Sequence, residues 1–127
     1  MSELTTHAAW TLVVAYGLSL GYEVYRATAK TGVSEHDSIR SLLRLSPLYL
    51  VAGAVIALLF AGVGWAAWLG LVFTVVMILV SIFYYNPRMM LERDPGPIDW
   101  AEDLIYTGLL FVAAALLAYE VIGATLG

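Results

Sequence analysis

The sequence predicts an all-α fold, a four-helix transmembrane bundle of two antiparallel hairpins, and three observations carry that prediction. The composition is 61% hydrophobic and only 13% charged, with a mean hydropathy of +0.85, whereas soluble domains carry about a quarter charged residues. Apolar runs recur at residues 8–25, 48–63, 65–84 and 104–126, each close to the ~20 residues a helix needs to cross a ~30 Å hydrocarbon core. All six basic residues fall in two connections: Arg26, Lys30, Arg40 and Arg44 after the first run, Arg88 and Arg93 after the third. Lys and Arg in short loops stay on the cytoplasmic side, so the loops joining spans 1–2 and 3–4 are expected there and both termini outside. Residues 1–127 thus read as a single integral membrane domain, placed in a prokaryotic plasma membrane.

The first run has no basic region ahead of it and three further runs behind it, so it reads as a retained span and not a cleaved signal. It carries a GxxxG pair, Gly17 and Gly21, and the second span carries Gly53, Ala57 and Ala61 at the same four-residue spacing. Small residues let helices approach closely in lipid, and packing inside the bundle is expected of these strips ahead of packing between copies. Between the first two spans, Ser34 followed by Asp37 reads as a helix start. Ile39, Leu42, Leu43 and Leu45 then line one face, opposite His36, Arg40, Ser41 and Arg44, which predicts a short interfacial amphipathic helix. Ser46 and Pro47 follow as N-cap and first residue of the second span.

The second and third runs form one apolar stretch, too long for a single crossing, which the sequence Gly62-Val63-Gly64-Trp65 divides with a tight turn. Asn86 and Pro87 mark the end of the third helix. After the Pro95-Gly96-Pro97 corner, Asp99 and Glu102 read as an Asp-x-x-Glu cap on the fourth span. Trp10, Trp65 and Trp68 fall at the outer ends, and Tyr22, Tyr25, Tyr49, Tyr84, Tyr85, Trp100 and Tyr106 at the inner ends. Amphipathic rings favour the headgroup level, so these sets are expected to form two interfacial girdles.

Chemistry is harder to find. The absence of cysteine excludes thiol catalysis and disulfides. No phosphate-binding glycine loop, nucleophile elbow or zinc-binding helix motif is present. Both histidines sit at or beyond the interfaces, away from the mid-bundle position a haem would need, and no basic stripe with interleaved aromatics offers a surface to nucleic acid. The acids Glu92, Asp94, Asp99, Glu102 and Asp103 match no cation-binding loop, and capping accounts for three of them.

Glu23 stands out because an acid within a span is costly. It shares a helix face with Tyr16 and Ser19 on one side and Arg26 and Ala27 on the other. The structural alternative is an interfacial acid that snorkels to the headgroups or pairs with Arg26. At the other end, His7 and Glu120 fall at one level, where a pair would respond to mildly acidic pH. Ser19, Glu23, His7 and Glu120 are therefore the candidate transport or pH-sensing residues.

The leading expectation is a non-catalytic membrane component, an accessory subunit of a larger complex or a self-associating scaffold. Its partners would be the lipid bilayer and other membrane subunits or further copies of itself. No cofactor is called for, although a groove between helices leaves room for a bound lipid. The alternative is a small oligomeric channel or an ion- or proton-coupled transporter using Glu23, with His7 and Glu120 at the outer mouth.

Overall fold

The structure, a computed structural model, describes residues 3–30, 32, 38–90 and 96–126. Its elements are all helical: α1 (Glu3–Thr28), α2 (Ile39–Phe60), α3 (Ala66–Val80) continuing without a break into a wide-turned π-helix (Ser81–Met90), and α4 (Pro97–Leu126). No strand occurs among the described residues. Neighbouring helices run antiparallel. Along α1 and α2, Trp10 meets Phe60 edge-on at 5.2 Å and Ser19 meets Tyr49 at 2.8 Å. Along α1 and α4, Tyr16 meets Tyr106 and Tyr22 meets Asp99. One end of the molecule gathers the basic residues at the helix ends, among them Arg26, Arg40 and Arg88; the other carries the α2–α3 turn.

Among the described residues, three helices are both long and apolar enough to cross a membrane: α2, α3 with the first half of the π-helix, and α4. With 26 residues α1 is long enough but falls short in apolarity, so it is not the equal of the other three that the sequence led us to expect. The burial pattern explains the difference. Ala8, Leu12, Ala15, Tyr22 and Arg26 recur at spacings of three, four and seven residues and are all buried, so Tyr22 and Arg26, with Glu23 beside them, face the neighbours of α1, whose most extensive contact is with α4. The molecule's outer surface is correspondingly apolar: Leu50 is 74% exposed, Phe83 73% and Tyr119 71%. Water would not tolerate that much contiguous apolar surface on a monomer, and a bilayer does.

The close-packing small residues are not those the glycine pattern selects. Gly17, Gly21, Gly53, Ala57 and Ala61 all lie on the outer surface, and a side chain added at any of the three glycines would meet nothing within 4 Å. They do not hold these helices together. That role falls to buried alanines (Ala8, Ala9, Ala15, Ala52, Ala66 and Ala113) and to Gly70. A Cβ on Gly70 would sit 3.1 Å from Leu117 Cδ1 and 3.4 Å from Leu59 Cδ1, so its absence lets α3 lie directly against α4 and α2.

Three boundaries also differ from expectation. The segment from Ile39 to Leu45 is no separate interfacial helix; it forms the first turns of α2, capped by Ser38, whose Oγ accepts from the Ser41 amide at 3.1 Å. The expected start at Ser34 and Asp37 lies outside the described residues. Pro47 is then an interior residue and not a helix start. Proline leaves the carbonyl four residues back without its helical donor. That carbonyl belongs to Leu43, and the Ser46 hydroxyl donates to it at 2.7 Å. Likewise Pro87 does not end the third helix, which continues to Met90 as a π-helix; the wider turn moves the preceding carbonyl away from the proline ring.

The turn between α2 and α3 agrees with the sequence. Gly62 adopts φ 74°, its amide donates to the Leu59 carbonyl, and the Val63 amide donates to Leu58. This 6→1 and 5→2 pair closes the helix with a left-handed residue that glycine adopts without steric cost.

Candidate functional site

The first turn of α4 places the key carboxylate. Pro97 occupies the first helical position, where its missing amide costs nothing, and the Trp100 amide donates to the Gly96 carbonyl at 3.1 Å to close the turn. Asp99 reaches back so that its Oδ2 accepts from the Gly96 amide at 2.7 Å. The cap is thus built on Gly96 and Asp99, three residues earlier than the expected Asp99-x-x-Glu102 cap. The other oxygen, Oδ1, accepts from the Tyr22 hydroxyl at 2.5 Å and from Arg26 Nη1 at 3.2 Å. Arg26 is 1% exposed, and such burial of a guanidinium requires a charged, hydrogen-bonded partner. Asp99 is itself buried, and the Tyr22 hydroxyl, the Gly96 amide and the Arg26 guanidinium together satisfy its two oxygens.

Beside this latch, the register of α1 against α4 brings further acids together. Glu23, Glu102 and Asp103 are all buried and all line one cavity of about 160 Å³. Among the described residues the buried charges are four acids (Glu23, Asp99, Glu102 and Asp103) and one base, Arg26. Ser19, Tyr49, Tyr106 and Ser81 add hydroxyls to the same wall. Ser19 and Tyr49 are hydrogen-bonded to each other at 2.8 Å, and Ser81 to Thr107 at 3.0 Å. The remaining wall is apolar, from Leu45 and Leu48 of α2 and Met77 and Val80 of α3, with Tyr84 and Tyr85 contributed by the π-helix. All four helices therefore meet at this cavity, which lies at the basic end of the molecule. Beyond it the core is closed by Leu12, Leu59, Leu110, Ala113 and Leu117, none of which has any exposure.

The residues singled out from the sequence divide accordingly. Glu23 and Ser19 line the cavity, and Glu23 is buried there instead of extending to the headgroups. His7 and Glu120 lie at the opposite end, His7 exposed and Glu120 partly buried, and the His7 carbonyl accepts from the Thr11 hydroxyl. Three tyrosines assigned to the inner girdle do other work. Tyr22 is buried against Asp99, Tyr49 is bonded to Ser19, and Tyr106 packs edge-on to Tyr16 at 5.5 Å. Tyr84 and Trp100 remain half-exposed at this end, and Trp10, Trp65 and Trp68 at the other, as anchoring residues should be.

Glu102, Asp103, Tyr106 and Ser81 were not expected in a site. Capping was sufficient to explain the acids, and an interfacial preference the tyrosine. A signal was nonetheless present: Asp99, Asp103, Tyr106, Leu110, Ala113 and Leu117 continue one helical stripe, and its lower half is polar while its upper half is core. Such a stripe places the acids inside the molecule. No protein-family model, curated protein or solved structure matches the chain, so its chemistry rests on this geometry.

Proposed function

We propose that the protein is a four-span membrane protein, with loops 1–2 and 3–4 in the cytoplasm of a prokaryotic cell, that binds a cation in the acidic cavity and works as a small ion- or proton-coupled carrier. The observation that carries this reading is the convergence of Glu23, Glu102 and Asp103 on one cavity, with Arg26 as the only buried base among the described residues. Acids placed within a membrane bundle are costly and by default mark ion or proton pathways. The closed apolar core beyond the cavity favours a carrier open to one side over a continuous pore. Glu23 is then the coupling acid, with Ser19 beside it, while His7 and Glu120 would sit at the outer mouth.

The test is flux. In liposomes loaded with a pH-sensitive dye, the wild type should dissipate an imposed proton gradient, and Glu23→Gln should slow it at least about tenfold, the scale of losing one charged contact. Elution of the variant should not change. A wild-type rate equal to that of empty liposomes would reject the carrier reading.

A second reading, an accessory subunit or self-associating scaffold, is favoured by the open strips Gly17, Gly21 and Gly53, Ala57, Ala61 on the lipid-facing surfaces of α1 and α2. Strips of this kind accept another helix at close range.

A further inference from the structure

On the outward side of α1 and α2 lies an open groove of about 290 Å³, distinct from the acidic cavity, with Tyr49 lining both. Leu20 of α1 forms one bank, and Leu42, Leu43, Tyr49 and Leu50 of α2 form the other. Leu20, Leu43 and Leu50 are exposed. The two hydroxyls in the wall are already engaged, Ser46 with the Leu43 carbonyl and Tyr49 with Ser19. What the groove offers a ligand is therefore mainly apolar surface.

Its length suits a hydrocarbon chain. From Leu42 to Leu50 the helix rises about 12 Å at 1.5 Å per residue, close to the ~15 Å of one leaflet in a ~30 Å hydrocarbon core.

Register decides what stands at its end. Ser19 meets Tyr49 at 2.8 Å on antiparallel helices, so the end of α1 at Thr28 and the start of α2 at Arg40 come to one level. Lys30 follows Thr28 directly after the helix closes, and Arg40 stands one turn before Leu43 on the same side of α2. Each bank of the groove thus finishes in a base.

The charge at this end is one-sided. Among the described residues there, the exposed charges are Lys30, Arg40, Arg44 and Arg88, while the acids Glu23, Asp99, Glu102 and Asp103 are buried. None of these four bases makes an ion pair among the described residues, and the pair that does form joins Arg26 to Asp99 inside the molecule. Bases at the headgroup level attract negatively charged lipid.

We infer that the groove seats an acyl chain of an anionic phospholipid whose phosphate lies between Lys30 and Arg40. The tail covers the exposed leucines, and the headgroup supplies the counter-charge that the protein's own surface lacks. A choline phospholipid fits less well, because its own ammonium already cancels its phosphate. A second copy also fits less well. Copies inserted in the same direction bring their Lys30 and Arg40 side chains to one level, where like charges repel.

The experiment is native mass spectrometry of the full chain in neutral detergent micelles, titrated with dioleoylphosphatidylglycerol and, separately, with dioleoylphosphatidylcholine. The first phosphatidylglycerol is expected to bind at least about tenfold more tightly, since each base near the headgroup is worth roughly fivefold. Arg40→Gln should reduce that preference about fivefold, and the double variant Lys30→Gln, Arg40→Gln should nearly abolish it. Arg88→Gln is the control, because it removes the same charge from the end of the π-helix, away from the groove; the preference should not change. Leu20→Trp, which narrows the groove without altering charge, should weaken the first phosphatidylglycerol. All these substitutions replace exposed side chains, so melting temperatures without added lipid should stay at the wild-type value. Equal binding of the two lipids by the wild type would overturn the inference, as would indifference to Leu20→Trp. So would a loss with Arg88→Gln as large as with the double variant, which means diffuse attraction, or a dimer that excludes phosphatidylglycerol, which gives the groove to a second copy.

Discussion

Asp99 joins the start of α4 to the far end of α1. It caps α4 through the Gly96 amide, accepts the Tyr22 hydroxyl and neutralises the buried Arg26. Asp99→Asn should therefore cost about 3 kcal/mol near pH 7, the scale of removing one partner from a buried ion pair. Thermal unfolding in detergent micelles reads that loss, and a melting temperature unchanged by the substitution would mean that the pair with Arg26 does not hold α1 to α4. Sequence reasoning assigned Asp99 to a cap, which is correct for one oxygen and blind to the other. The partners of the second oxygen lie some seventy residues away in the chain, at hydrogen-bond separations of 77 and 73, where no local motif can reach.

At the scale of elements, the existence of the helices was legible and their joints were not. Apolar run length marked α2, α3 and α4, and the Gly62 turn followed from the only backbone break in that stretch. Prolines misled in two places, because each was read by its effect on an isolated helix. Pro47 is accommodated by a neighbouring hydroxyl and Pro87 by a change of helical pitch, and neither remedy shows in a propensity. Small residues misled similarly: the regular glycine strips face outward, while an unremarked glycine, Gly70, sits at the contact of three helices. Two substitutions separate these roles. Gly70→Val should destabilise by about 2 kcal/mol through overpacking against Leu59 and Leu117. Gly17→Ala should be neutral or slightly stabilising, since it meets open space and improves helix propensity by up to about 1 kcal/mol. Thermal unfolding in detergent micelles reads both, and equal losses would mean that the glycine strip is buried in the micelle by a second copy.

At the scale of the whole molecule, the exterior is apolar as the core is, unlike the exterior of a soluble domain, and the composition alone foretold that surface. What it could not foretell was the concentration of charge at one end, because helical register between α1 and α4 decides which acids become neighbours. Native mass spectrometry of material extracted gently from its own membrane separates the two functional readings. Other subunits at fixed stoichiometry would favour the accessory role, and a lone monomer or homo-oligomer the carrier. The α1–α4 contact also bears on how the chain is made. Synthesis makes α1, with Glu23 and Arg26 on it and less apolar than the three helices that follow it, before it makes α4. Asp99, the electrostatic complement of Arg26, comes 73 residues later. The helix least suited to lipid therefore waits for its partner charge until the start of α4 has been made.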